Sequence, residues 1–354
     1  MKKTIALIFV AATSSLVAQT IEDSLNKAAK YLISKQTAVG YWSDKEMPAL
    51  TALPVWALSA SGKGEEYKVQ IKKGVDFVLG TQREDGGFYV PKPGRGGGGL
   101  GNYNTSVCLS ALFESKLSPV EPMLRARRFI SESQLTGDDT MAGGFGYEKQ
   151  SRRRYADLSN TAYAMDAMSR TASLEEFRRE RIRVDLSWDK AIAFVENLQK
   201  KAGPEKGGSA YNERTPQGGV STNKSGRVSL RAYGSMSYAA VLSMCSAKLT
   251  RGDARVRNAL EYCSKNWSVE ENPGMGAQGL YYYYDIVARA LSAANVNELI
   301  APDGRKIDWR KELSAKIMSL QREDGSWAND NNRFWEADPV LCTAFAMITL
   351  SLCR

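Results

Sequence analysis

Histidine is absent from the 354-residue sequence. A catalytic zinc in this chain would have to be held by cysteine and carboxylates alone, because the imidazole ligand is missing. Cysteine is sparse as well: Cys108, Cys245, Cys263, Cys342 and Cys353 are odd in number and widely spread. That excludes the dense disulfide framework of a small secreted domain and leaves room for one bridge at most. Beyond the first residues no run of about 18 apolar positions could span a bilayer as a helix. Charge is only mildly one-sided, at a net +9. The densest basic stretch, Phe177 to Asp185, mixes glutamate with arginine and interleaves no aromatics. It reads as a solvated connector and speaks against nucleic acid as a partner. A hydrophobic content of 43% excludes disorder and suffices for a sizeable core.

The start of the chain, MKKTIALIFVAATSSLVAQT, gives two lysines, an apolar run from Ile5 to Val10, then small residues with a cut expected after Ala18. This is the layout of a secretory signal peptide. The expected organisation is therefore residues 1–18 as signal peptide and 19–354 as one domain, exported to the periplasm or beyond the cell. No cysteine near the cut invites lipidation.

A phrase recurs along that domain. QREDGG at 82–87 returns as QREDGS at 321–326, each followed by an aromatic, Phe88 and Trp327. Gln36, Gln82, Gln134, Gln199 and Gln321 each close a stretch of helical apolar periodicity, and four of them lead through glycine to an aromatic. The intervals of 46, 52, 65 and 122 residues leave one copy lacking its glutamine, at ALEYCSKNW, and so imply six units. After each glycine turn comes a second segment, apolar or small on all sides, with Thr51, Thr105, Thr161, Ser237, Tyr284 and Thr343 in one column. A helix apolar all round is buried among helices, whereas the first helix of each unit keeps a charged face for water. Six such pairs must stack, one helix inner and one outer. The predicted fold is all-α, an (α/α)6 ring of six helical hairpins.

The glutamine, glycine turn and aromatic resemble the repeat of the squalene-hopene cyclase and protein prenyltransferase superfamily, over about residues 22 to 353. The resemblance implies an α/α toroid, with the glutamine and aromatic in structural roles. It also implies a central cavity ringed by the N-terminal ends of the inner helices. At that end DLSNTA, Asp157 to Ala162, is similar to the D-x-D-D-T-A acid motif of the cyclases, but Ser159 and Asn160 stand where the inner acids would be. Serine cannot protonate an alkene. The stretch QGLYYYYD resembles the D-G-C-Y segment of the prenyltransferases, with Gln278 and Leu280 at the two ligand positions, so no metal and no cofactor are expected.

What remains near the cavity end is aromatic and polar. Asn160, Tyr163, Tyr233, Tyr282, Tyr283 and Trp335 are the candidate ligand-binding residues, and Tyr103 and Tyr238 lie at the same end. Rings of this kind can surround an apolar ligand or flank a cation. Asp157 and Asp285 are the candidate catalytic acids. Against that, Asp157 with Ser159 and Asn160 reads equally as a helix cap, and Asp285 with Arg289 as an i, i+4 ion pair. The Gly-rich stretch from Pro93 to Tyr103 lacks the ending of a phosphate loop and reads as part of the rim.

The expected function is an exported toroid protein without the standard acid motif or zinc triad, binding an apolar, isoprenoid-like molecule or a partner. The alternatives are a terpenoid cyclase using Asp157 or Asp285, and a carbohydrate-active toroid enzyme. The last would need two carboxylates roughly 5 to 10 Å apart across a groove, with Glu336 and Asp338 as further candidates.

Overall fold

The computed structural model describes residues 21–92, 99–149, 154–180, 182–222, 226 and 228–354. The signal-peptide segment and residues 93–98 of the Gly-rich stretch lie outside the described residues. Helix α1 covers 21–35. It is followed by α2 (Pro48–Leu58), α3 (Lys68–Gly80), α4 (Gly101–Ser115), α5 (Val120–Ser133), α6 (Leu158–Arg170) and α7 (Trp188–Leu198). Helices α8 (Gly234–Ser246), α9 (Ala254–Lys265), α10 (Leu280–Ala293), α11 (Trp309–Ser319) and α12 (Pro339–Leu352) complete the series.

The even-numbered helices form the inner ring. Each packs on the next, α2 on α4, α4 on α6, α6 on α8, α8 on α10 and α10 on α12, and α12 returns to α2 to close it. All eleven residues of α2 are buried, as expected for a helix without a polar face. Outer helix α5 shows the opposite pattern, with Glu121, Arg125, Arg128 and Glu132 exposed and Met123, Leu124, Phe129 and Ile130 buried. Two antiparallel ribbons add a little strand to the rim: β1 (Val220–Thr222) with β2 (Val228–Leu230), and β3 (Leu299–Ile300) with β4 (Lys306–Ile307). They lie in connections and leave the helical core unchanged.

The repeated glutamine fastens neighbours together. The side-chain amide of Gln82 donates to its own turn at Gly86 O (2.9 Å) and to Pro122 O (2.8 Å), at the start of the next outer helix. Gln36, Gln134 and Gln199 do the same with Gln70 O, Ser187 O and Arg255 O. In the unit without a glutamine, Trp267 takes the role, its indole N–H donating to Glu312 of α11 (2.7 Å). Gln321 reaches across the seam of the ring to Ser24 O (2.9 Å) and accepts from the Ser24 hydroxyl (2.7 Å). Loss of those bonds in Gln321→Ala should cost about 2 kcal/mol and lower Tm, with the helical circular dichroism signal unchanged.

The hydroxyl column is a second fastening. Thr51, Thr105, Thr161, Ser237 and Thr343 each accept the backbone N–H at the end of the glycine turn, from Trp42, Phe88, Phe145, Ser209 and Trp327, at 2.9–3.1 Å. Tyr284 occupies the column position in the fifth unit but sends its own hydroxyl outward to Val269 O (2.6 Å). All six lie in the opening turns of inner helices, so that end of the ring is held in common register.

Candidate functional site

At that end the opening turns of all six inner helices enclose a cavity of about 330 Å³. Leu50, Tyr103, Tyr163, Met236, Tyr282 and Phe345 represent the six helices on its wall, and the turns between them add Tyr147, Tyr211, Met275 and Trp335. The size falls within the range of about 300–1,000 Å³ typical of small-molecule sites. Tyr103 meets Tyr163 edge to face at 5.3 Å, Tyr163 lies 6.0 Å from Tyr282, and Tyr282 is 6.3 Å from Phe345. Together they form an aromatic layer from α4 round to α12.

Of the candidate binding residues, Asn160, Tyr163, Tyr233, Tyr282 and Trp335 line this cavity. Tyr283 does not. Successive residues turn about 100° around a helix, so only Tyr282 of the four consecutive tyrosines faces inward. Tyr283 is fully buried against Tyr238 (5.9 Å), and its hydroxyl donates to Ser268 O on the outer side (2.9 Å). Tyr281 likewise packs on Tyr284 at 5.8 Å. Tyr147, Tyr155 and Tyr211 were not among the sequence candidates, because they come from turns whose distance from the cavity no periodicity encodes. Their hydroxyls meet at Tyr211, 3.1 Å from Tyr147 and 3.2 Å from Tyr155.

Three of the four carboxylates named from the sequence, Asp157, Glu336 and Asp338, are occupied with holding helix ends. Six helix N-termini converge here, each with backbone N–H groups that lack helical partners and with a partial positive charge. Asp157 caps α6, accepting from Asn160 N at 2.8 Å. Asp338 caps α12 through Val340 N (2.9 Å), and Glu336 reaches back to α10 at Tyr282 N (2.8 Å). Glu148 takes Leu100 N and Gly101 N at the start of α4, while Asn104 and Asn272 serve α2 and α8. None of these acids is on the cavity wall.

Asp157 combines two properties that the sequence reading set against each other. It is a cap, yet burial pushes its carboxyl up to about 6 from the ordinary 3.8, against the opposing hydrogen bonds from Asn160, Tyr211 and Tyr155. The folded state therefore binds the proton more tightly than the unfolded chain, and this carboxyl's contribution to stability is greatest below about pH 4. It is lost as the pH rises to about 6. Asp157→Asn should flatten the wild-type decline in Tm across that window.

Asp285 lies under the aromatic layer, not on it. Its carboxylate pairs with Arg289 (3.0 Å), and Arg289 also pairs with Asp166 of α6 (2.6 Å). The guanidinium sits 5.4 Å from the Tyr163 ring and 5.0 Å from Trp56. Asp166 carries the signal that singled out Asp285, an acid on a helix otherwise apolar, and the sequence reading passed over it.

Phe334 and Trp335 stand at the mouth, about half exposed. Both have left-handed backbone, φ 59° and 68°, which is uncommon for bulky residues and stores strain. Arg333 beside them donates to Gln217 (3.0 Å), in the connection before α8.

No protein-family model matches the chain. Solved structures do resemble it. The type II terpene cyclase MstE from Scytonema aligns over 94% of this chain and 97% of its own, at 13% identity and a TM-score of 0.53. A family 76 glycoside hydrolase from a bovine Bacteroides thetaiotaomicron strain aligns over 94% of this chain and 77% of its own, at 16% identity and a TM-score of 0.59. The alpha-mannanase BT2949 of the same glycoside hydrolase family, also from Bacteroides thetaiotaomicron, covers 94% of each chain at 10% identity and a TM-score of 0.53. What these enzymes share with this chain is the α/α toroid.

Proposed function

We propose that the protein is an exported binding protein that holds an apolar, isoprenoid-like molecule in this cavity without converting it. The observation that carries the reading is the composition of the wall: among the described residues that line it there is no aspartate, glutamate, lysine or arginine. A glycosidase needs two carboxylates facing its substrate, and a cyclase needs an acid in contact with an alkene. Where the cyclase motif has its proton donor this chain has Ser159, whose hydroxyl shares a hydrogen bond with Tyr282 (3.2 Å). The cyclase MstE takes geranylgeranyl dihydroxybenzoate as substrate, which supports isoprenoid-like chemistry for a cavity in this position. Export is proposed from Lys2, Lys3 and the apolar run that follows them. N-terminal sequencing of secreted protein should begin at Gln19.

The raised pKa of Asp157, about 6, is the observation that favours a cyclase. Incubating the purified protein with a membrane lipid extract, followed by mass spectrometry, separates the two. Retention of an isoprenoid at unchanged mass and structure is expected. Appearance of an isomer, abolished in Asp157→Asn, would overturn the binding reading. Asparagine is itself a good cap, so that variant should lose no more than a few tenths of a kcal/mol at neutral pH.

A further inference from the structure

Asn160 has one side-chain atom that the fold leaves unused. Its amide nitrogen donates to Asp157 Oδ2 (2.7 Å), and Asp157 Oδ1 accepts Asn160's own backbone N–H (2.8 Å). With both oxygens of Asp157 acting as acceptors, the Asn160 amide must turn its NH₂ toward the carboxylate and its carbonyl oxygen away. That oxygen, on a residue only 2% exposed and lining the cavity, has no hydrogen-bond donor among the described residues. Buried acceptors are nearly always satisfied, and one left open where a ligand would sit points to a donor on the ligand.

We propose that the ligand carries a neutral hydroxyl, as a prenyl alcohol does, and that Asn160 Oδ1 accepts its hydrogen bond. This rests on the reading of the cavity as an apolar binding site and adds the chemistry of the ligand's head. Of the other polar groups on the wall, Ser159 is engaged with Tyr282, Tyr147 with Tyr211, and Ser235 as acceptor from Asn272 (3.1 Å). A diphosphate or carboxylate head would bring charge onto a wall whose described residues include no cation, and burying an unpaired charge is far costlier than burying a hydroxyl that finds an acceptor. A hydrocarbon would leave the oxygen unsatisfied.

Dissociation constants for farnesol, farnesyl methyl ether and farnesyl diphosphate, measured by fluorescence titration of the mature protein, test this. Farnesol should bind roughly five- to tenfold more tightly than its ether, the size expected for one neutral hydrogen bond, and the diphosphate should bind more weakly than either. In Asn160→Leu the alcohol-to-ether ratio should fall below about twofold. Asn160→Ala serves if leucine does not fold, and the wild-type ratio decides even without a variant. Equal binding of alcohol and ether, a ratio that survives in the variant, or preference for the diphosphate would overturn the assignment while leaving the apolar site standing. Failure of all three probes to bind would remove both.

Discussion

Arg289→Met is expected to destabilise the protein by about 3–5 kcal/mol. Arg289 is 2% exposed at its side chain and holds two carboxylates in the middle of the inner ring, Asp166 at 2.6 Å and Asp285 at 3.0 Å. Asp166 keeps Arg170 at 2.8 Å as a second cation. Among the described residues Asp285 has no other hydrogen-bond partner: its second oxygen already lacks a donor, and burial raises its pKa against the pull of Arg289. Without the guanidinium its charge stands alone in a medium of low dielectric. The carboxyl then folds best protonated, so the loss should be larger at pH 8 than at pH 5. Removing the stranded charge as well, in Arg289→Met/Asp285→Leu, should recover much of the deficit, because replacing a whole buried pair by apolar groups is often near neutral. Denaturant unfolding of the three proteins at the two pH values checks both statements.

Gly325→Ala should cost about 3 kcal/mol or more, although it adds a single methyl group. Gly325 has φ 87°, and a Cβ there would stand 2.6 Å from the carbonyl oxygen of Lys27 and 2.7 Å from its carbon. Lys27 belongs to α1, so the contact is the seam where the last unit meets the first. A backbone carbonyl inside a helix cannot swing aside, and the left-handed φ strains any side chain. Gly80→Ala makes the opposite case. It lies at the end of α3 with nothing within 4 Å of the added carbon, and should gain about 0.5–1 kcal/mol from a less flexible unfolded chain. Opposite signs for the same chemical change would show that the repeated glycine is required by the close approach of the next unit's outer helix, as Gly86 is by Arg125 O, and not by a generic turn.

Much of the ring was legible because its rules are local. A glutamine, a glycine turn and a hydroxyl lie within 38 residues of one another in every unit that has all three, and each forms its bonds inside its unit or to the next one. The rule even survives where a residue changes, as Ser209 shows by donating its backbone N–H to Ser237 without an aromatic side chain (3.1 Å). Trp267 was illegible because an indole N–H replaces an amide, which no pattern of glutamines would reveal.

The site was legible only in part. Asp157 and Asp338 announce themselves as caps by standing directly before a helix. Glu336 caps α10, 54 positions back along the chain, and Glu148 caps α4 from the next unit. Both partnerships exist only once neighbouring units have stacked. Likewise the row of four tyrosines looked like a cluster, and helical rotation assigns one to the cavity and three to the core. Asn160 was chosen for its place in a motif, whereas its open oxygen depends on the position of Asp157 and could be read only from the fold.

The central claim is that the cavity itself holds an apolar molecule. Met236 is buried on its wall, and Met236→Trp would fill the space with a ring while leaving every helix cap in place. Native mass spectrometry of wild type and Met236→Trp after incubation with the same lipid extract measures occupancy directly. The account predicts one retained isoprenoid-like molecule per wild-type chain, unchanged in mass and structure, and little or none on a folded Met236→Trp protein. Equal retention by both proteins, or an altered molecule released by the wild type, would contradict it.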